Sequence, residues 1–308
     1  MTGNLRPADI ELHKRLGIPA ELLEAAQIRR VSDGDARSLL GVQHRGDLAG
    51  IIYPRLDPVS GRIVGHRVRR DHPEMEAGRP RAKYMAGIDR HHLYFPPGAA
   101  VLLADTTVSV LLVEAEKSTL AITAAAARTG RTLLSIGLGG CWGWKGSTGK
   151  TTDAKGARVD EHGPLPDLDL VTWRDRDIVI MFDANATTNG SVKAARQALT
   201  KELINRGARV RIVELPAEAD VNGPDDFVGK HGDLAIWALV DGARSVQPET
   251  AADALPPVWD GGRPRNPTPS RPDREADTDR PRVDARVGRA PASARSSARA
   301  PAQAGPLP

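Results

Sequence analysis

From residue 108 onward the apolar positions fall into two alternating kinds of run. Val108, Val110, Leu111, Leu112 and Val113 form a short, nearly continuous apolar stretch of the length of a buried strand, and residues 132–136, 177–182 and 209–213 repeat it. Between these stretches the spacing turns helical: over 116–128, which Gly130 can close in the left-handed conformation, and over 191–206, where Val192, Ala195, Leu199 and Leu203 share one face and Gly207 is the stop signal. Two successive β-α-β units predict a parallel sheet covered by helices, closed by a short helical segment over 234–240.

The first 45 residues read differently, as short helices: one over 10–16, one opened by Pro19 with Leu22, Leu23 and Ala26 on one face, and one capped by Ser32 and continued by Ala36, Leu39 and Leu40. Residues 50–54 and 62–69 then flank a turn-rich connection at 57–61 and predict a β-hairpin. In its second strand Arg67 and Arg69 are two apart, so both point to the same face. The fold expected is α/β: a parallel sheet flanked by helices (101–245), preceded by a small α+β basic subdomain (1–100) and followed by a disordered tail (246–308).

Composition sharpens this division. Residues 261–308 contain no aromatic residue and are dominated by Pro, Arg, Ala, Ser and Asp, too little apolar surface to offset chain entropy. That stretch holds ten Arg against five acidic residues, so of the chain's net +4 the tail carries +5 and residues 1–260 carry −1. Residues 28–90 hold thirteen Arg or Lys and eight Asp or Glu, while the region after them is acidic. A basic half facing an acidic site suits a polyanion, although solvated surface arginines would give the same count. The single cysteine, Cys141, rules out an intrachain disulfide and a multi-cysteine zinc site, and nothing beside it reads as an activating base. No run of about 18 apolar residues is present, so a cytoplasmic protein without a membrane partner is expected.

Candidate chemistry lies where strands end. Glu114 and Asp183 each follow an apolar strand, and in an open parallel sheet that edge is where ligands bind, so the two should meet across 69 positions of sequence. Asn185, two residues after Asp183, can offer a neutral oxygen to the same hard cation, and Asp220 with Asp225 and Asp226 forms a third acidic source. Asp225 and Asp226 could equally cap the short helix after Pro224. Around Trp142 and Trp144 the glycines, Lys145 and Lys150 miss the phosphate-loop spacing, because the first required glycine falls on Trp144. The stretch reads as a surface loop, or as one whose lysines guide a nucleic-acid backbone while a tryptophan stacks on a base. His91 and His92 read as surface residues, and Tyr53, Tyr84 and Tyr94 as core.

The segments Leu112, Val113, Glu114, Ala115, Glu116, Lys117 and Phe182, Asp183, Ala184, Asn185, with Asn189, Val192 and Ala195 downstream, resemble the Toprim fold of bacterial replicative primases, topoisomerases and some nucleases. The run from Leu16 to about Ala243 resembles more closely a Toprim-like family of unknown function encoded on phages, plasmids and integrated elements, through Gly50 to Pro54, Lys83 and Tyr84, Leu93 to Gly98, Trp142 to Trp144, and Asp225 with Asp226. The resemblance implies primase-type, metal-dependent nucleotidyl transfer in DNA replication. Glu114 and Asp183 would be catalytic; Glu114, Asp183, Asn185, Asp225 and Asp226 would hold Mg²⁺ or Mn²⁺. Arg67, Arg69, Lys83, Lys117, Lys145 and Lys150 would meet single-stranded DNA and nucleotides. No helicase motor is legible, so a separate helicase or ATPase partner is implied. The usual Glu-Gly of the fold is Glu114-Ala115 here, and the usual Asp-x-Asp ends in Asn185, one charge short. A single-stranded DNA or nucleotide binding module and a metal-dependent nuclease are therefore the alternatives.

Overall fold

Ser32 opens the first well-formed cap of the chain: its Oγ accepts the amide of Asp35 at 3.2 Å, and Gly41 closes the same helix at φ 64°. The computed structural model describes residues 4–246, except 44, 45, 77, 89, 90 and 155, together with the backbone of a strand pair at Trp259–Asp260 and Arg263–Pro264. Apart from that strand pair, the tail expected to be disordered lies outside the described residues. Elements run in the order α1 (Pro7–Arg15), α2 (Ala20–Ala25), β1 (Arg29–Val31), α3 (Asp33–Leu40), β2 (Gly50–Leu56), β3 (Ile63–Arg70), β4 (Met75–Glu76), β5 (Arg79–Pro80) and β6 (Tyr84–Ala86). β1, β2, β3 and β6 form an antiparallel sheet in that order, with the predicted hairpin at its centre and Ile51 opposite Arg69.

The second half follows as β7 (Val110–Val113), α4 (Glu116–Arg128), β8 (Leu134–Gly137), β9 (Lys145–Thr152), β10 (Arg158–Pro164), β11 (Asp177–Met181), α5 (Gly190–Asn205), β12 (Arg209–Val213), α6 (Pro224–His231), α7 (Asp233–Asp241) and β13 (Arg244–Ser245). Its sheet has the order β13-β12-β11-β7-β8, parallel throughout except for the antiparallel edge strand β13. Val110, Leu112, Ile178 and Ile180 pack with Val192, Ala195 and Leu199 of α5 on one face. Leu111, Val113, Val179 and Met181 pack with Ile122 of α4, Phe227 of α6 and Trp237 of α7 on the other. Cover on both faces is why these strands read as unbroken apolar runs rather than alternating ones.

The two sheets are joined at α4. Leu120 and Ala121 share a core with Ile18, Leu23 and Ile28 of the N-terminal segment and with Ile51 and Tyr53 of β2. Tyr94 exchanges two backbone hydrogen bonds with Gly137 of β8, at 2.8 and 2.9 Å. A side chain at Gly137 would place its first carbon 2.6 Å from Thr119 Oγ1, so the helix, this strand and the Tyr94 segment meet at a residue that needs to be small.

Two expectations are corrected. The stretch after Trp144 is a β-hairpin, β9 with β10, rather than a loop. β9 consists of Gly, Ser, Thr and Lys and β10 is polar but for Val159 and Pro164, both strands largely exposed, so no apolar alternation could announce the hairpin. Trp144 is buried in the α5-side core and cannot stack on a base, whereas Trp142 is half-buried and lies 6.5 Å from it, ring centre to ring centre. His91 and His92 are half-buried rather than surface residues: His91 Nε2 lies 2.8 Å from the Leu138 carbonyl, and His92 Nδ1 lies 3.1 Å from both oxygens of Asp167.

Arg176, wholly buried before β11, holds the entry to the parallel sheet without any carboxylate. Its Nε donates to the Val108 carbonyl at 2.6 Å, Nη1 to Leu103 at 2.8 Å and Nη2 to Leu102 at 2.7 Å. These carbonyls end the 3₁₀ turn Ala99–Leu102 and lead into β7, and no other described donor side chain reaches them. Arg176→Met leaves the Val108 and Leu102 carbonyls unpaired, while Leu103 keeps the Thr172 amide at 3.0 Å. The variant is expected to lose at least about 2 kcal/mol of stability, read as a lower urea midpoint at unchanged slope.

Candidate active site

β7 and β11 are adjacent and parallel, with Ile180 opposite Leu112, so the residues that follow them emerge together. Glu114 and Asp183 are in direct contact: the Asp183 amide donates to Glu114 Oε1 at 3.1 Å. The loop before α6 completes the site. Asn222 donates from Nδ2 to Asp183 Oδ2 at 3.0 Å, and Asp225 accepts from Ser118 Oγ at 2.6 Å and from Lys117 Nζ at 2.8 Å. A side-chain carbon built on Gly223 would lie 2.8 Å from Asp225 Oδ1 and 2.9 Å from Asp183 Oδ1. Two carboxylate oxygens thus converge on the space that the missing side chain leaves open.

The electrostatics follow from this crowding. Burial pushes the Asp183 carboxyl up to about 8, and the neighbouring charges of Glu114, Asp225 and Asp226 add to the shift. Burial also raises Glu114, against the Asp183 and Cys141 amides and the charge of Arg67, which lower it. Cys141, beside Glu114, is held to about 12 by burial and by that carboxylate, which keeps the thiol neutral and unreactive. Burial raises the hydroxyls of Tyr53 and Tyr94 as well, in keeping with core rather than nucleophilic roles.

The sequence candidates separate on this geometry. Glu114, Asp183 and Asp225 come together. Asp226 instead caps α6, its Oδ2 accepting the amides of Asn222 at 3.1 Å and Gly223 at 3.2 Å, so only one of the two adjacent aspartates faces the cluster. Asn185 is exposed in the 3₁₀ turn Ala184–Thr187 and makes no side-chain hydrogen bond to the described residues; the amide beside Asp183 is that of Asn222. Among the described residues no group of three or more His, Cys, Asp or Glu side chains is arranged to hold a metal ion. Mg²⁺, however, is commonly held by one or two carboxylates with water and substrate phosphate completing its shell. Glu114 and Asp183 suit that partial role: they touch, and Asp183 Oδ1 accepts no hydrogen bond from the described residues. Asp225, already satisfied by Lys117 and Ser118, suits it less.

Basic side chains line the neighbouring antiparallel sheet. Arg69 and Lys83 have no acidic partner among the described residues. Lys83 is pushed down by burial and next by the charges of Arg69 and Lys117, against Asp226 and Asp225, which raise it. Burial lowers Lys117, but the charges of Asp225, Tyr84 and Asp226 and the hydrogen bond to Asp225 together outweigh it, so the net shift is upward. Lys145 and Lys150 stand elsewhere. Lys145 lies over the Trp144 ring at 4.6 Å and feels Glu202 of α5, and Lys150 pairs with Asp160 across the exposed hairpin.

Sequence reading missed a buried ion cluster beneath this surface. Glu116, 1% exposed, receives Arg55 Nη2 at 3.1 Å and Arg67 Nη1 at 3.1 and 3.3 Å, and Arg55 also bonds the His92 carbonyl. Burial alone would raise Glu116, but Arg67 and Arg55 hold it at about 2. Arg67, which lies over the Tyr84 ring at 4.9 Å, is therefore bound to Glu116 rather than free for phosphate. The only signal in the sequence was a second glutamate two residues after Glu114.

Residues 100–235 match a family model described as a domain of unknown function, DUF3854. The DUF3854 region spans β7 to α6 and therefore carries Glu114, Asp183 and Asp225. Among solved structures, the zinc-binding and RNA polymerase domains of the Aquifex aeolicus primase superpose with a TM-score of 0.52 at 16% identity, over 78% of this chain and 57% of that one. The chain thus corresponds to little more than half the length of that structure. A DnaG catalytic core gives 0.46 at 16% identity over 78% and 73% of the two chains. The RNA polymerase domain of the Mycobacterium tuberculosis primase DnaG, in complex with a double-stranded DNA oligomer with a 6-nucleotide overhang, gives 0.45 at 16% over 80% and 75%. At these identities the likeness is one of fold: a mixed α/β, primase-like architecture. No curated protein matches the sequence. No helix among the described residues is long and apolar enough to cross a membrane.

Glu116→Gln is expected to cost about 3–5 kcal/mol at pH 7, because it leaves two guanidinium groups facing a neutral amide in a buried site. The folded-state carboxyl lies below its ordinary value of 4.5, so its contribution is present above pH 4.5 and is lost as the pH falls toward 2. The stability gap between wild type and variant, from urea denaturation at a series of pH values, is expected to narrow below pH 4.5.

Proposed function

We propose that this chain is a Toprim-like, primase-type nucleotidyltransferase of a mobile element, working in the cytoplasm on single-stranded DNA and nucleotides beside a separate helicase or ATPase. One observation carries the reading: Glu114 and Asp183 leave neighbouring parallel strands side by side, and Asp225 and Asp226, whose charges reach Asp183, also reach Lys83 of the basic sheet. Phosphoryl transfer needs little covalent participation from the protein and relies on positioning and charge neutralisation. In this reading Glu114 and Asp183 hold Mg²⁺ or Mn²⁺, whose part would be to neutralise charge on the reacting phosphate. Asn222 orients Asp183, Lys117 and Ser118 fix Asp225, and Arg69 and Lys83 take the backbone or the nucleotide phosphates. The N-terminal antiparallel sheet acts as the basic subdomain of such an enzyme.

A second reading has an observation of its own. Asn185 is outside the cluster and Asp225 is taken up by Lys117, which leaves Glu114 and Asp183 as the carboxylates without an ion pair among the described residues and favours a binding module that retains DNA affinity without turnover. A primer-synthesis assay with single-stranded template, nucleotides and Mg²⁺ or Mn²⁺ separates the readings. Product from wild type that falls at least about a hundredfold in Glu114→Ala and Asp183→Ala upholds the enzyme. Binding without product indicates the module, and shortened template a nuclease. Replacing Arg69 and Lys83 together is expected to flatten the slope of log affinity for single-stranded DNA against log salt by about 1.4. An unchanged slope would place the DNA on another face.

A further inference from the structure

Of the three carboxylates that come together at the end of the parallel sheet, Asp225 alone has a cation of its own among the described residues. Its oxygens have separate partners from two consecutive residues of the first turn of α4: Oδ1 accepts the Ser118 hydroxyl at 2.6 Å and Oδ2 the Lys117 ammonium at 2.8 Å. The side chains of Lys117 and Asp225 are 17% and 7% exposed, so the pair is shielded from water and is not a screened surface contact. Glu114 and Asp183 take no salt bridge from any described Lys or Arg, although the charge of Arg67 reaches Glu114.

The pair is also close enough to the other acids to govern what they bind. A side-chain carbon on Gly223 would touch Asp225 Oδ1 and Asp183 Oδ1 at once, so the two carboxylates face one small space. The charges of Glu114 and Asp225 both reach Asp183. A carboxyl that ligates a metal does so ionised, so with a cation bound the three acids carry three negative charges. The Lys117 ammonium balances one of them, and a single divalent ion balances the other two. A second divalent ion, before any substrate binds, would leave two surplus positive charges in a site largely withdrawn from water.

We propose that Lys117 is a built-in counter-ion that withholds Asp225 from the metal, so that the site takes one divalent ion, through Glu114 and Asp183, rather than two. The inference rests on the metal-dependent reading of this site and adds the number of ions and the residue that sets it. Lys117 acts through Asp225 and is therefore a positioning residue, tied to the acids rather than to the nucleic-acid backbone.

Mn²⁺ titration of the full chain without nucleotide or DNA, followed by the electron paramagnetic resonance signal of free Mn²⁺, tests it, with urea midpoints to show that each variant is folded. Wild type is expected to bind one Mn²⁺ per chain, and Glu114→Gln to weaken that ion at least tenfold. Lys117→Met combined with Asp225→Asn removes the pair at unchanged net charge and is expected to keep one Mn²⁺ within about threefold of the wild-type affinity, because Asp225 is not a ligand. Lys117→Met alone leaves Asp225 ionised and unpaired, and is expected either to add a second Mn²⁺ or to hold the first at least about tenfold more tightly. Lys117→Arg keeps the charge and is expected to restore the wild-type count and affinity. Where Lys117→Met alone does not fold, the double variant, which strands neither charge, still decides. Two Mn²⁺ in wild type, a double variant weakened at least tenfold, or a folded Lys117→Met variant unchanged in both count and affinity overturns this inference alone. No Mn²⁺ bound to wild type, or an ion indifferent to Glu114→Gln, overturns it together with the metal-dependent reading.

Discussion

Glu116 has almost no water to carry its charge, and two guanidinium groups from the antiparallel sheet do so instead. An unpaired carboxylate at that depth would be strongly unfavourable, so β2, which carries Arg55, and β3, which carries Arg67, are held against the first turn of α4. Glu116 also sits at the start of that helix, where the backbone dipole favours a negative charge. The position of the basic sheet over the end of the parallel sheet rests on this cluster, and the apolar contacts of Leu120, Ala121, Ile51 and Tyr53 complete it.

The acidic site is the counterpart of this arrangement. Glu114 precedes Glu116 by two residues, yet their surroundings oppose each other: one carboxyl is raised by burial beside another acid, the other is held low by two cations. Two carboxyls at one strand-to-helix junction therefore have different chemistry because one faces Asp183 and the other faces Arg55 and Arg67. Separation of this kind lets a fold combine a structural ion cluster with a site that is short of positive charge.

The parallel half was legible because both faces of its sheet are covered, which forces unbroken apolar strands, and because the intervening helices carry their own periodicity and stop signals. The helix over 116–128 and the strand over 209–213 match the structure to the residue. The β9–β10 hairpin was not legible, since its largely exposed and mostly polar strands leave no apolar alternation. His91 and His92 were misread for a related reason: their burial comes from Arg55, Leu138 and Asp167, which are distant in sequence.

By itself the sequence determined that two strands end in acids and that, in a parallel sheet, those ends share an edge. It also determined that basic residues concentrate before residue 91. Which acids face one another was decided only by the tertiary structure: Asp225 turns to Lys117 while Asp226 caps its own helix, and Asn222 rather than Asn185 meets Asp183. The reason is that strand ends are placed by local periodicity and backbone pairing, whereas the direction of a side chain in a loop depends on which distant donor completes its hydrogen bonds once water is excluded.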